Sequence, residues 1–272
     1  MLLASVATTA LSTAQGGQVI RYKPHASLDV FSVTGAVTRQ YAGGVDAPPL
    51  RAAQLTGTLL LRTEPSGEQW VVTGVCRELS GNDGTQPLDD AALRRARLGK
   101  WLATVGGGCR YTWNDEPAVP SALNALLWPI PWRPLDAPNG VKIGDAIEQR
   151  FELPLQAFLE DDPIGDQPIT IRYVFRGESY LSKEATWLFD IQADEEIRRP
   201  VRHPEREGLT LVGTVKASGS VRVRRADGRL DYARFTLDVR LTLEGEGLPF
   251  GVFSSATAVA TAEYQRKAPD GG

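Results

Sequence analysis

Polar and apolar residues alternate through most of this chain. Leu237, Val239, Leu241 and Leu243 are interleaved with Thr236, Asp238, Arg240 and Thr242, the two-residue period of a strand with one buried and one wet face. Ser220-Val221-Arg222-Val223-Arg224 repeats the pattern, and Asp227-Gly228 between the two runs favours a tight turn whose twist matches that of the strands. Together they predict a hairpin whose wet faces bring Arg222 and Arg224 near Asp238 and Arg240. Further β-branched and aromatic runs at 28–41, 53–63, 68–76, 109–114, 145–155, 168–176, 179–192, 209–217 and 255–265 read as strands.

One segment follows a different period. Leu98, Trp101, Leu102 and Val105 fall at helical spacing. Asp89 and Asp90 can cap such a helix at its start, and Gly106-Gly107-Gly108 can stop it. The expectation is one long helix over 88–105 packed on the sheet, with a shorter helix at 121–127. The fold class that follows is mainly β: a large curved antiparallel sheet or partly open barrel carrying that single long helix.

Domain punctuation is sparse. The Pro-rich stretch 128–138 holds Trp128 and Trp132 between prolines, which removes it from helices and central strands. It reads as an extended strap over one β-rich domain, 15–267, with a sub-domain division at 128–138 as the alternative. Residues 1–14 read as an export signal, closing on the small-x-small pattern Ser12-Thr13-Ala14, or else as a disordered leader. Residues 268–272 read as a disordered tail.

Composition narrows the function classes. The chain has 272 residues, with 30 Lys and Arg against 33 Asp and Glu and a formal charge of −3. No basic block offers a phosphate backbone a footprint, so nucleic acid is not an expected partner. No stretch after the N-terminus is apolar for long enough to predict a transmembrane helix in the mature chain. Two histidines, His25 and His203, and two cysteines, Cys76 and Cys109, are too few for a zinc or iron–sulfur centre, and no metal or cofactor is expected. If the cysteines pair, as an exported location would favour, the bond pins the predicted helix to the sheet and opposes unfolding by roughly 3–4 kcal/mol. Two buried free thiols are the alternative.

Candidate chemistry is thin. No Gly-x-Ser-x-Gly elbow, Walker loop or Gly-x-Gly-x-x-Gly fingerprint is present, so no catalytic residue is assigned. His203 sits among alternating charges beside Pro204, which reads as a wet loop. Acidic clusters at 160–166, 194–196 and at Asp83, Asp89 and Asp90 lack the spacing of a calcium loop and read as charged loop tips. A glycan hydrolase would need two such acids facing a sugar cleft, a placement that sequence does not provide. The aromatic residues are more suggestive. Trp101 and Leu102, with Trp128 and Trp132, are candidate walls of an apolar ligand pocket between sheet and helix, with plain core packing as the alternative.

Residues 125–265 resemble a group of exported β-rich bacterial envelope proteins. The resemblance is carried by Val141-Lys142-Ile143-Gly144-Asp145, by Ile169 to Glu178, and by Gly213 to Gly219 leading into Ala226 to Leu230. A similar order of elements occurs in the N-terminal region of spirochaete proteins that carry an OmpA-like domain. The resemblance implies a periplasmic or envelope location and other envelope proteins as partners. It brings no catalytic residue, and cell-wall binding is not carried over, because the matching pieces exclude the OmpA-like domain. The functional expectation is a non-enzymatic accessory or structural envelope protein acting through protein contacts. The alternative is a carrier for a lipid or other apolar ligand.

Overall fold

The structure is a computed structural model that describes residues 17–23, 25–42, 51–66, 69–82, 87, 100–105, 110–113, 135–155, 166–181, 184–201, 208–245 and 255–267. Its strands in chain order are β1 (Gln18–Ile20), β2 (Ser27–Ala42), β3 (Arg51–Ser66), β4 (Gln69–Asn82), β5 (Lys100–Val105), β6 (Arg110–Trp113) and β7 (Ala137–Val141). They continue with β8 (Ala146–Pro154), β9 (Asp166–Ser179), β10 (Thr186–Pro200), β11 (Thr210–Arg224), β12 (Leu230–Glu244) and β13 (Ser255–Arg266).

Eleven of these strands form a single antiparallel sheet, ordered β6-β5-β4-β3-β2-β13-β12-β11-β10-β9-β8. The sheet does not close into a barrel. It consists of two meanders, β2–β6 and β8–β13, joined where the last strand pairs with β2 from Phe31↔Arg266 to Ala42↔Ser255. The small β1–β7 sheet stands apart.

Alternation makes one face of the large sheet the core. Leu237, Val239, Leu241 and Leu243 are buried as their pattern predicts. Neighbouring strands add Val215 and Val221 from β11, Phe189 and Ile191 from β10, Ile171 and Tyr173 from β9, and Val33 and Val37 from β2. Ile20 and Val141 of the small sheet belong to the same cluster. Small side chains share the inner face: β13 contributes Ala256, Ala258, Ala260 and Ala262. Gly219 is required for the same reason, since a Cβ there would drive into the Arg234 carbonyl of β12.

Two expectations need correction. The segment 100–105 is strand β5 and not the end of a helix, and among the described residues there is no helix to plug the sheet. Trp101, Ala103 and Val105 also alternate with Lys100, Leu102 and Thr104, so these residues fit both periods. Pairing decided the outcome: β5 supplies the hydrogen-bonding partner that β4 otherwise lacks, from Trp70↔Val105 to Val75↔Lys100. Residues 88–99, the shorter helix at 121–127, the leader 1–14 and the tail 268–272 lie outside the described residues. The second correction concerns the strand expected at 179–192, which begins at Thr186 after a turn through Tyr180 and Leu181. Among the described residues no helix is long and apolar enough to cross a membrane, which says nothing of a β-barrel.

Candidate functional site

The β11–β12 turn builds a buried ionic clasp. Gly228 adopts φ 70°, and a Cβ there would lie 2.7 Å from the Arg21 carbonyl oxygen, so the turn can tuck against the segment entering β2 only as glycine. The Lys23 amide donates to the Asp227 carbonyl at 2.8 Å. Arg224 donates twice to the Asp227 carboxylate, at 3.0 and 2.6 Å. Arg229, only 5% exposed, donates to the Asp29 carboxylate, and its other terminal nitrogen lies 3.1 Å from His25 Nε2. One step along β12, Asp231 lies 3.8 Å from Arg222 Nε and accepts from Arg266 Nε at 3.4 Å.

These contacts replace the cross-strand pairing expected from sequence. Arg222 lies opposite Tyr232 and stacks on its ring at 4.5 Å, whereas Asp238 and Arg240 pair with each other on β12 at 3.0 and 2.8 Å. The connection between β11 and β12 sets a register that puts Asp238 opposite Lys216 instead. Most polar atoms of the clasp are met, while Arg222 Nε and one Asp231 carboxylate oxygen have no hydrogen-bond partner among the described residues. The clasp's guanidinium groups meet carboxylates, the arrangement of a structural tie between the start of β12 and the start of β2.

A second site lies on the outward face of β2–β4. Its floor is a patch of paired register rows: Val30↔Leu60↔Val75, then Leu28↔Arg62↔Thr73. A half-open groove of about 540 Å³ runs over this patch, lined by Ala26, Ser27, Leu28, Leu60, Arg62, Thr63, Glu64, Thr73, Val75 and Arg77. Leu28 is 60% exposed, and Leu60 and Val75 are half-buried, an apolar floor on the water side of the sheet. Arg62 is held by Glu64 at 2.6 Å.

A bulge shapes one end of the groove. Thr56 faces Ser80 and Thr58 faces Arg77, so β4 spends one residue more than β3 over this interval. Glu78 takes up the excess at φ 52°, a left-handed conformation unusual for a residue with a side chain. The kink lets Leu79 stay buried while Arg77 remains on the outward face.

The sequence candidates fare unevenly. Leu102 stands opposite Thr73, next to the groove rows, and Trp101 stands opposite Gly74 and Trp113. Trp128 and Trp132 lie outside the described residues. Cys76 is opposite Leu59 on β4, but Cys109 also lies outside them, so the expected disulfide does too. Of the acidic candidates, Asp194 pairs with Lys216 at 3.1 Å, and Glu195 accepts the Thr170 amide at 3.1 Å. Among the described residues no three His, Cys, Asp or Glu side chains gather as a metal site. Sequence reasoning missed Arg77, Leu28 and Leu60. The available signal was the adjacent pair Arg77-Glu78, which interrupts the alternation of the strand and marks a bulge.

At the corner of β9 and β10, the Tyr180 hydroxyl and then Arg225 hold the Glu178 carboxyl below its ordinary range, and Glu178 in turn raises the Tyr180 phenol. Arg225 bonds Glu178 at 2.6 Å and lies 5.0 Å from the Trp187 ring.

No protein-family model matches the chain, and no curated protein matches it. Among solved structures it is similar to lipovitellin, in a study of lipid–protein interactions, at 14% identity and a TM-score of 0.44. That likeness covers 93% of this chain and 26% of the lipovitellin chain, so the protein spans about a quarter of its length. A likeness to the InvG secretin domain β-barrel of the Salmonella SPI-1 injectisome base has 11% identity and a TM-score of 0.15, covering 91% of this chain and 64% of that one. At these scores neither likeness carries an argument.

Proposed function

We propose that this chain is a non-enzymatic binding protein of the bacterial envelope, outside the cytoplasm, that carries one apolar ligand in the outward groove of β2–β4. The observation that supports a carrier is the groove itself: about 540 Å³ over Leu28, Leu60 and Val75, a size ordinary for small-molecule sites. Exposed Leu28 beside half-buried Leu60 and Val75 offers apolar area that a ligand would remove from water. The location rests on the leader at 2–14 and on the resemblance of residues 125–265 to exported envelope proteins.

A second reading, an accessory protein acting through protein contacts, is favoured by the outward face beyond the groove. Thr257 and Val259 on β13, Thr34 on β2, Gln54 and Thr56 on β3 and Ser80 on β4 are exposed and uncharged, and lie on adjoining strands. Depletion of charge marks the centre of protein interfaces, so the partner would present an equally uncharged face.

Native mass spectrometry of the gently purified full chain separates the two readings. One small apolar molecule per chain, displaced by Leu28→Glu, is the result expected of the carrier. A bare chain complexed with another envelope protein favours the accessory reading. A bare, partner-free chain that also refuses added apolar reporters contradicts both.

A further inference from the structure

We infer that the groove selects an anionic single-chain amphiphile, a carboxylate on a long acyl chain, with Arg77 as the residue that recognises the carboxylate. This inference rests on the carrier reading above and names its ligand class.

Charge accounting within the groove singles out Arg77. Of the two cations that line it, Arg62 is neutralised by Glu64 at 2.6 Å. The carboxylate beside Arg77 in sequence, Glu78, forms no ion pair with it among the described residues and accepts from the Thr58 hydroxyl at 2.8 Å. That hydroxyl in turn accepts from Lys267 Nζ at 3.1 Å. Arg77 is left without an ion pair or hydrogen bond among the described residues, while most arginines of the outward face elsewhere are paired.

A second unmet group lies in the same lining. Ser27 Oγ is buried and has no hydrogen-bond partner among the described residues. The groove therefore offers one uncompensated positive charge, one unmet hydroxyl and an apolar floor between strands. A carboxylate accepts from a guanidinium in forked geometry, and an acyl chain covers leucine and valine, so one amphiphile satisfies both chemistries. A neutral lipid leaves Arg77 unpaired, and a short anion leaves the floor wet.

The test is equilibrium dialysis of the full chain with radiolabelled oleate below its micellar concentration, with oleyl alcohol and acetate as the comparison ligands. Oleate is expected to bind once per chain, oleyl alcohol about five- to tenfold more weakly, and acetate is expected not to compete. Arg77→Gln should lower oleate affinity by about the same factor, leave oleyl alcohol unchanged and keep the native circular dichroism spectrum, with Arg77→Lys recovering part of the loss. Lys216→Gln, a cation removed from another outward face, should change nothing. Equal binding of oleate to the parent and to Arg77→Gln, with both abolished by Leu28→Glu, overturns the role of Arg77 and leaves the carrier reading standing. Failure of oleate and oleyl alcohol alike to bind the parent chain overturns the carrier reading itself.

Discussion

From β9 to β12 the outward face is tiled with paired charges, while from β2 to β4 it carries an apolar patch of Leu28, Leu60 and Val75 beside Arg62, Glu64 and Arg77, and its pairing is interrupted. In the first region β10 and β11 pair without a break from Thr186↔Arg224 to Pro200↔Thr210. Lys216–Asp194 and Arg176–Asp190 bridge neighbouring strands at 3.1 and 2.6 Å. The register shifts of this half fall near strand ends, at Leu188/Phe189 and Arg222/Val223. In the second region the shift falls within the strands, at Thr56/Thr58, and the side chains around it are Leu60, Val75 and an unpartnered Arg77. The lesson concerns what each face meets. A face that meets only water can be covered with opposed charges, whereas the face proposed to meet a ligand keeps its apolar area and a cation free.

The largest expected effect separates the two regions by stability. Phe235→Ala removes a fully buried ring stacked on Tyr264 at 6.3 Å and should cost about 4 kcal/mol in urea unfolding. Leu60→Ala, on the half-buried groove floor, should cost about 1 kcal/mol. Equal losses would break the division into frame and site.

Next in size is the clasp that ties the two meanders. Arg229→Ala strands the largely buried Asp29 carboxylate, whose side chain is 11% exposed, and should cost about 3 kcal/mol, read as a lower urea midpoint. A loss near zero would mean that the clasp is decoration. The sequence made the hairpin of β11 and β12 legible, because Val221, Val223 and Leu237 to Leu243 alternate cleanly around Asp227-Gly228. Its ion pairs were not legible, since whether Arg224 meets Asp238 or Asp227 depends on the register set by the β11–β12 connection, which tucks against residues 21–23. The segment 100–105 misled for a related reason: its period fits helix and strand equally, and the deciding partner, β4, is distant in sequence. Leu102, expected on a wall between sheet and helix, lies on β5 opposite Thr73. Arg77 was not legible as part of the site, because the bulge that keeps it on the outward face is a pairing irregularity, visible in sequence only as two adjacent charges.

Smaller effects sharpen the contrast. Leu28→Glu should leave unfolding within about 0.5 kcal/mol of the parent, because Leu28 is mostly exposed, while abolishing retention of an apolar ligand in dialysis. Lys216→Gln should cost about 0.5 kcal/mol or less, and the difference should vanish at high salt, as expected of an exposed pair. The smallest effect is at Glu178. Its carboxyl is held below the ordinary 4.5, so its contribution is present at neutral pH and is lost as pH falls through the carboxylate range. Glu178→Gln should therefore flatten the acid limb of the melting temperature against pH slightly, and an unchanged limb would remove Glu178 from the acid response.

The most direct test of an outward binding face on the first meander is hydrogen exchange of the full chain with and without saturating oleate. Slower exchange confined to residues 27–30, 58–64 and 71–77, with 186–224 unaffected, is the predicted pattern. Protection centred on β10–β12, or no change anywhere despite measured binding, would contradict it.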